Sequence, residues 1–390
     1  MNRKYLILAA VLLIALISIS LFITLNNPGK PTPARPFYLG VEFAYGNQFG
    51  QVKALVDKVK DYTNLLVLGS PGLTFNRTAL DESVDYIYHA GLSFIVLFTS
   101  STMYNQSNGY PPDDSIFNWM NQTKQTYGDK FLGIYRFDEP GGNQLDNGKY
   151  QLINNNSSYT QVGQNYVGNL SIIINYYLEH GAPQIYTADY GLYWFDYQSN
   201  YTTVFGEFVG NQSRQRIVAL DRGAAESVGK DWGAIINWKY DQPPFLESGT
   251  ELYTDLSLTY SAGAKYTVVF SYSNNASYDT GYGILTNNHF EALQNFWNNI
   301  HKNPNGFPTT KAEEAYVIPK DYGFGFRSAT DTTWGLIPAD NLSAKIWNDT
   351  TMTLLPRYGA SLNIIYDDPE VIDSTLSNYT HIYYWNQTIT

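Results

Sequence analysis

Residues 133–140 read Gly-Ile-Tyr-Arg-Phe-Asp-Glu-Pro, and the fold turns on how they are placed. Ile134, Tyr135 and Phe137 make an apolar, β-prone run. The run ends in the adjacent carboxylates of Asp138 and Glu139, and Pro140 cannot donate to a further ladder. Gly141 and Gly142 then supply turn residues. Two acids at the C-terminal tip of a buried strand are either catalytic groups or the start of a solvated turn.

On either side of this stretch, β-rich apolar runs alternate with helical patterns from residue 37 onward, the signature of a parallel sheet with crossover helices. Strands are expected at 37–45 (FYLGVEFAY), 65–68 (LLVL), 94–98 (FIVLF), 131–137, 184–187 (QIYT), 203–208 (TVFGEF), 232–238 (WGAIINW) and 266–270 (YTVVF). The first helix puts Val52, Leu55, Val56 and Val59 on one face; the next carries Leu80, Val84 and Ile87 and stops at Gly91. Further helices are expected around 116–127, 166–178, 214–228 and 289–300. Eight strands interleaved with helices over 37–303 predict a (β/α)8 TIM barrel in the α/β class. Residues 304–310 (PNGFPTT) read as a joint. Beyond it, strands at 315–318, 362–366 and 381–385 and a helical stretch at 343–358 predict a small C-terminal α/β domain over 311–390. It resembles half of a doubly wound unit but has no Gly-rich phosphate loop, which argues against nucleotide binding.

At the other end, Arg3 and Lys4 precede a chargeless apolar run at 5–25, long enough for a membrane-spanning helix of ~20 residues. The basic flank keeps the short N-terminal side in the cytoplasm and the rest of the chain outside. No small-x-small cleavage site follows, so residues 1–25 are expected to be an N-terminal membrane anchor; removal of that segment would instead give a secreted protein. Residues 26–36 (NNPGKPTPARP) form a Pro-rich linker. Asn-x-Ser/Thr sequons stand at Asn76, Asn105, Asn121, Asn155, Asn156, Asn169, Asn200, Asn211, Asn275, Asn341, Asn348, Asn378 and Asn386. Behind an anchor, that density predicts a glycosylated extracellular protein. Cysteine is absent while tyrosine numbers 34, so disulfides play no part. This composition is similar to that of surface proteins of thermoacidophilic archaea. A net charge of −11 without a basic stripe argues against nucleic acid as a partner.

In such a barrel the site lies at the C-terminal ends of the strands. Those ends offer Glu42 with Tyr45, then Arg136, Asp138 and Glu139, then Asp189 and Tyr190 with Trp194 beyond. Glu207 ends the sixth strand; Trp238, Lys239 and Asp241 follow the seventh, and Tyr272 the eighth. Cleaving a glycosidic bond needs two carboxyl groups, one protonated to donate and one ionised to attack or to activate water. Rings such as Tyr45, Tyr190, Trp194, Trp238 and Tyr272 suit the flat C–H faces of sugars, although with tyrosine this abundant some rings reach strand ends by chance. Glu42 and Glu207 each interrupt an apolar strand, which calls either for a site role or for a salt bridge to Arg136 or Lys239. The histidines His89, His180, His289, His301 and His381 form no HExxH or paired set, and no serine sits in a G-x-S-x-G elbow. No metal and no cofactor are expected.

Strand four ending in Asp138-Glu139-Pro140 resembles the Asn-Glu-Pro motif of clan A retaining glycoside hydrolases. In that family the glutamate after strand four is the general acid/base, and the residue before it touches the sugar 2-hydroxyl. The resemblance implies Glu139 as acid/base and Asp138 as a substrate contact. A barrel backed by a small α/β domain is also similar to β-galactosidase-like members. Two departures stand out. Asp138 replaces the asparagine, and the family's strand-seven nucleophilic glutamate is missing from Asn237-Trp-Lys-Tyr-Asp241. The second catalytic carboxylate is then Glu207 or Asp241, with Glu207 preferred because it lies within its strand end. The expected function is an extracellular, membrane-anchored glycoside hydrolase of oligo- or polysaccharides. Glu42, Tyr45, Arg136, Asp138, Asp189, Tyr190, Trp194, Trp238, Lys239 and Tyr272 would bind the carbohydrate. The alternative is a non-catalytic cell-surface glycoprotein whose barrel binds glycans or builds the envelope. Catalytic carboxyls ~5–5.5 Å apart would indicate retention, and ~6.5–9.5 Å inversion.

Overall fold

The computed structural model describes residues 36–98, 114–148, 150–155, 158–272, 280–303, 307 and 309–389. The expected anchor, nearly all of the linker and the sequons Asn105, Asn156 and Asn275 lie outside them. Among the described residues no helix is long and apolar enough to cross a membrane. Every sequon asparagine among them is exposed.

Eight parallel strands close a barrel in chain order: β1 Tyr38–Ala44, β2 Leu65–Leu68, β3 Ser93–Phe98, β4 Phe131–Arg136, β5 Ile185–Asp189, β6 Thr203–Phe208, β7 Gly233–Ile236 and β8 Tyr266–Tyr272. Pairing of β8 with β1, from Tyr38↔Tyr266 to Ala44↔Tyr272, completes the ring. The helices that position the site are α1 Phe49–Val59, α2 Arg77–His89, α3 Asp114–Tyr127, α4 Pro140–Leu145, α5 Tyr159–Glu179, α6 Tyr193–Gln198, α7 Arg214–Ser227, α8 Gly249–Ser261 and α9 Asn287–Lys302. On α1 the predicted stripe Val52, Leu55, Val56 and Val59 is fully buried.

Three of these helices escape the sequence pattern. α4 and α6 are too short to show a period. α8 carries a run rich in Thr, Tyr and Ser, with Leu256 and Leu258 two apart, which blurs the helical spacing. Its capping box, Ser248 with Glu251, is the signal that marks it.

The barrel interior explains part of the aromatic content. Near its floor Tyr38 stacks on Tyr266 with ring centres 5.0 Å apart, and Tyr186 stacks on Phe205 at 5.6 Å. The Tyr186 and Tyr266 hydroxyls meet at 3.2 Å, so their polar ends are satisfied. Val67, Ile95, Tyr135, Ala188, Ile235 and Val268 fill the space above. On β4 the register against β3 slips, so that Phe94 faces Phe131 while Ile95 faces Gly133. The extra residue is a bulge, which reverses the inside–outside alternation downstream. Tyr135 therefore points in, and Arg136 points out. Gly133, at φ 150°, permits it: a Cβ there would lie 2.2 Å from the Gln184 carbonyl oxygen.

The C-terminal module is a three-stranded parallel sheet in the order β10-β9-β11, with β9 Glu314–Pro319, β10 Leu362–Asp367 and β11 His381–Tyr384. Helix α10, Asn341–Asn348, starts a helical stretch that continues through a π-turn to Tyr358, as the sequence leads one to expect. The module shares its core with the barrel. Gly223 of α7 touches β10 directly: a Cβ on it would sit 2.4 Å from the Ile364 carbonyl oxygen. Beside it Arg222 is fully buried and donates to Asn363 Oδ1 at 2.8 Å, Ala360 O at 2.6 Å and Leu362 O at 3.1 Å in the module. The same guanidinium donates to Ala262 O and Thr310 O, each at 3.3 Å, tying α8 and the joint to the same point. Replacing it strands several buried acceptors. Arg222→Met should lower the unfolding free energy by about 3 kcal/mol or more in urea titration, with barrel and module still melting together.

Candidate active site

The chain leaves β4 through a strained turn. Phe137 and Glu139 both have left-handed backbones, φ 58° and 51°. Neighbouring β5 holds the turn in place: Thr187 Oγ1 donates to Phe137 O at 2.7 Å, and Glu139 N donates to Ala188 O at 3.1 Å. Asp189 accepts from the N–H groups of Gly141 at 2.5 Å and Gly142 at 2.8 Å, capping α4. Both glycines are needed for close approach. A Cβ on Gly141 would meet Gly191 O at 2.5 Å, and one on Gly142 would meet the Tyr190 ring at 2.3 Å. The turn thus aims Glu139 into the barrel mouth.

There it meets Glu207. The two carboxyls interact directly, each changing the other's protonation, so the pair favours keeping one proton. They line one open cleft of about 360 Å³ together with Asp146, Tyr190, Gln212 and Trp238. Burial, then Asp138 and Asp189, push Glu139 up to about 7, against the Glu207 hydrogen bond. Glu207, 2% exposed, is raised well above the carboxylate range by burial first and then by Glu139, Asp138 and Asp189. Asn237 Nδ2 lies 3.4 Å from its Oε2.

Two more acids complete the mouth. Asp138 is open to water but ringed by protein; that crowding raises its carboxyl, while a hydrogen bond from the Tyr135 hydroxyl lowers it. Glu42 lies deeper, with its carboxyl against Gly69, where a Cβ would come 1.8 Å from Oε1. Burial and then Asp138 push it up to about 8. The salt bridges weighed for Glu42 and Glu207 do not form with the expected partners. Arg136 donates to Phe98 O at 2.7 Å and lies 4.6 Å over the Tyr177 ring, behind the barrel wall. Lys239 pairs with Glu251 at 2.6 Å.

The structure separates the remaining candidates. Tyr190 and Trp238 border the cleft, and Tyr272 stacks on Phe270 at 5.1 Å at the end of β8. Asp241 is exposed on the loop after β7 and does not line the cleft, so Glu207 is the partner of Glu139. Four expected carbohydrate contacts lie elsewhere. Arg136 faces outward because of the bulge. Asp189 is buried behind the strand as a helix cap. Tyr45 packs on Phe43 at 4.5 Å. Trp194, 1% exposed, stacks on Tyr366 of the module at 5.4 Å. Sequence reasoning missed Asp146, Gln212 and Asn237; only Asn237, at a strand end, carried a positional signal.

Behind the site runs a second line of buried acids. Asp196 is raised well above its usual range by burial and then by the charge of Asp189. It also accepts from Tyr166 Oη at 2.9 Å. Asp221, raised by burial, accepts from Gly206 N at 3.0 Å and Tyr197 Oη at 3.2 Å.

No family model matches the sequence, and no curated protein matches it. Solved structures are similar in fold. The catalytic module of a family 98 glycoside hydrolase from Streptococcus pneumoniae is 12% identical, over 92% of this chain and 67% of that one, with a TM-score of 0.48. A psychrophilic family 10 endo-β-1,4-xylanase is 12% identical over 67% of this chain and 96% of its own, with a TM-score of 0.44. D-Psicose 3-epimerase from Clostridium cellulolyticum matches 67% of this chain and 97% of its own at 11% identity, with a TM-score of 0.38. With an epimerase among the hydrolases, these likenesses concern fold alone.

The buried acids have a thermodynamic consequence. Their folded values lie above the ordinary range near 4, so the folded chain binds more protons than the unfolded one. Stability is fully present below about pH 4 and is lost as pH rises through about 6 for Asp189 and about 8 for Glu42. Unfolding midpoints should therefore fall steadily across that window. A midpoint that rises with pH there would contradict the assignment.

Proposed function

We propose that this chain is a glycoside hydrolase acting outside the cell on oligo- or polysaccharide, with Glu139 as proton donor and Glu207 as its partner carboxylate. The observation that carries this reading is the convergence of those two carboxyls on one open cleft at the C-terminal mouth of the barrel. Two adjacent carboxyls in a poorly solvated site cannot both ionise easily, so the pair keeps one proton. At rest the pairing raises Glu207 and lowers Glu139, so the shared proton sits on Glu207; cleavage needs it passed to Glu139, which protonates the leaving oxygen while Glu207 meets the anomeric carbon as carboxylate. Glu139 is half-buried and the more exposed of the two, which suits a proton donor to a leaving group at the opening, while Glu207 is buried below it, as suits the group that meets the anomeric carbon.

The surroundings fit a sugar. Trp238, 37% exposed, and Tyr190 offer aromatic faces. Glu42 and Asp138 stand beside the cleft rather than in its lining: Asp138 raises both carboxyls of the pair, and burial with Asp138 pushes Glu42 up to about 8. The likeness of Asp138-Glu139-Pro140 to the motif of clan A retaining glycoside hydrolases favours retention over inversion, for which the two carboxyls stand ~5–5.5 Å apart. Glu207 then attacks the anomeric carbon, and Glu139 later activates the water that releases the sugar. The apolar run at 5–25 and the exposed sequons support an anchored, glycosylated, extracellular setting.

A polysaccharide hydrolysis screen tests the proposal. Glu139→Gln and Glu207→Gln should each lower kcat by about 10²–10⁴-fold, with the anomer of the product retained by NMR. Because Glu139 must carry its proton, the rate should fall as pH rises through about 7. Unchanged activity in Glu139→Gln rejects it as the acid. A wild-type protein that binds glycan without cleaving it would be the non-catalytic barrel instead.

A further inference from the structure

The cleft is not built by the barrel alone. Between β9 and α10, residues 320–340 form a strap that returns to the barrel mouth. Its seating is close: a Cβ on Gly335 would lie 2.3 Å from Gln144 O. Gln144, fully buried on α4, donates to Trp334 O at 2.9 Å. Trp334 in turn packs against Phe195 of α6 with ring centres 4.4 Å apart. This strap carries Arg327. Its guanidinium is gripped by Asp331, Nε to Oδ2 at 3.0 Å and Nη2 to Oδ1 at 2.7 Å. Nη1 is left to pair with Asp146, and Nη2 also reaches Leu145 O at 3.3 Å.

Asp146 ends α4, the helix that starts at Glu139. Its other oxygen accepts from the Tyr190 hydroxyl at 2.5 Å. Asp146 and Tyr190 both line the cleft with Glu139 and Glu207. We propose that Arg327 is a positioning residue of the catalytic cleft: it fixes Asp146, Asp146 fixes the Tyr190 hydroxyl, and the C-terminal module thereby sets the aromatic wall beside Glu139. The role as a substrate wall rests on the glycoside hydrolase reading, whereas the hold on Tyr190 does not. A stabilising role alone is a poor account of the pair, because the Arg327 and Asp146 side chains are 26% and 50% exposed. Ion pairs that wet contribute little to stability.

The experiment has one arm without substrate and one with it. In protein labelled with ¹³C-tyrosine, the Tyr190 Cζ resonance is identified by its loss in Tyr190→Phe. It should move in Arg327→Met and Asp146→Asn, and move back toward the wild-type position in Arg327→Lys. A resonance unmoved in Arg327→Met overturns the proposal. On a cleaved oligosaccharide, Arg327→Met should raise KM by about 5–10-fold with kcat within about 2-fold and the melting temperature within about 2 °C. The Asp146→Asn/Arg327→Met double variant should be no worse than either single one. Loss of kcat together with melting temperature at unchanged KM would make Arg327 merely structural and also overturn it. If the wild type cleaves no glycan, the hydrolase reading fails, while the tyrosine resonance still decides whether Arg327 holds the ring.

Discussion

Two backbone N–H groups, those of Gly141 and Gly142, end on the carboxylate of Asp189, and the geometry of the cleft follows from that clamp. It forces the chain after β4 to turn back toward β5 instead of running into solvent. The left-handed backbones at Phe137 and Glu139 are unfavourable by themselves, and β5 holds them with bonds to both residues. The reward is direction: the Glu139 side chain enters the barrel mouth and meets Glu207 there. Asp189 never touches the cleft, yet it positions the one acid that does most to define it. Its own carboxyl is neighboured by Asp196, so the clamp is coupled to the buried acids behind it.

The distribution of carboxyls gives this barrel its character. Glu42, Asp138, Glu139 and Glu207 crowd the mouth, and Asp189, Asp196 and Asp221 lie behind the wall. All but the solvent-open Asp138, which is raised by the protein crowding round it, are raised chiefly by burial, and in most of the set a neighbouring acid adds to the rise. Such a set is tolerable only when much of it is protonated. Acidic surroundings therefore favour both the fold and the protonated form of the Glu139–Glu207 pair. The C-terminal module is equally integral. Arg222 ties its sheet to the barrel helices, and the strap bearing Arg327 reaches the cleft itself.

The fold was legible because parallel strands buried on both faces show up as apolar runs, and eight of them appear in order. All eight lie where the runs do. Helix α8 was lost because its Thr-, Ser- and Tyr-rich sequence blurs the period, and α4 and α6 because six residues are too few to show one. In the site, Glu42, Glu139 and Glu207 were readable as charges interrupting or ending apolar strands. Arg136 misled because strict alternation from Phe131 would place it inside, whereas the bulge at Gly133 turns it out. Asp189 and Trp194 misled because position after a strand does not say which side of the wall a side chain takes. Asp146 and Arg327 carried no local signal; they meet across 181 residues.

By itself the sequence determined that this chain forms a parallel barrel with a small α/β module and that carboxylates gather where its strands end. Those properties are local, written in the period of apolar residues and in the residue that follows each strand. It took the folded chain to bring Glu139 and Glu207 into one cleft, to turn apparent ligands into clamps or core, and to pair an arginine of the module with Asp146 at the cleft edge. These depend on a bulge, on the turn pulled over by Asp189 and on the contact of distant segments. Each is set by packing in three dimensions rather than by spacing along the chain.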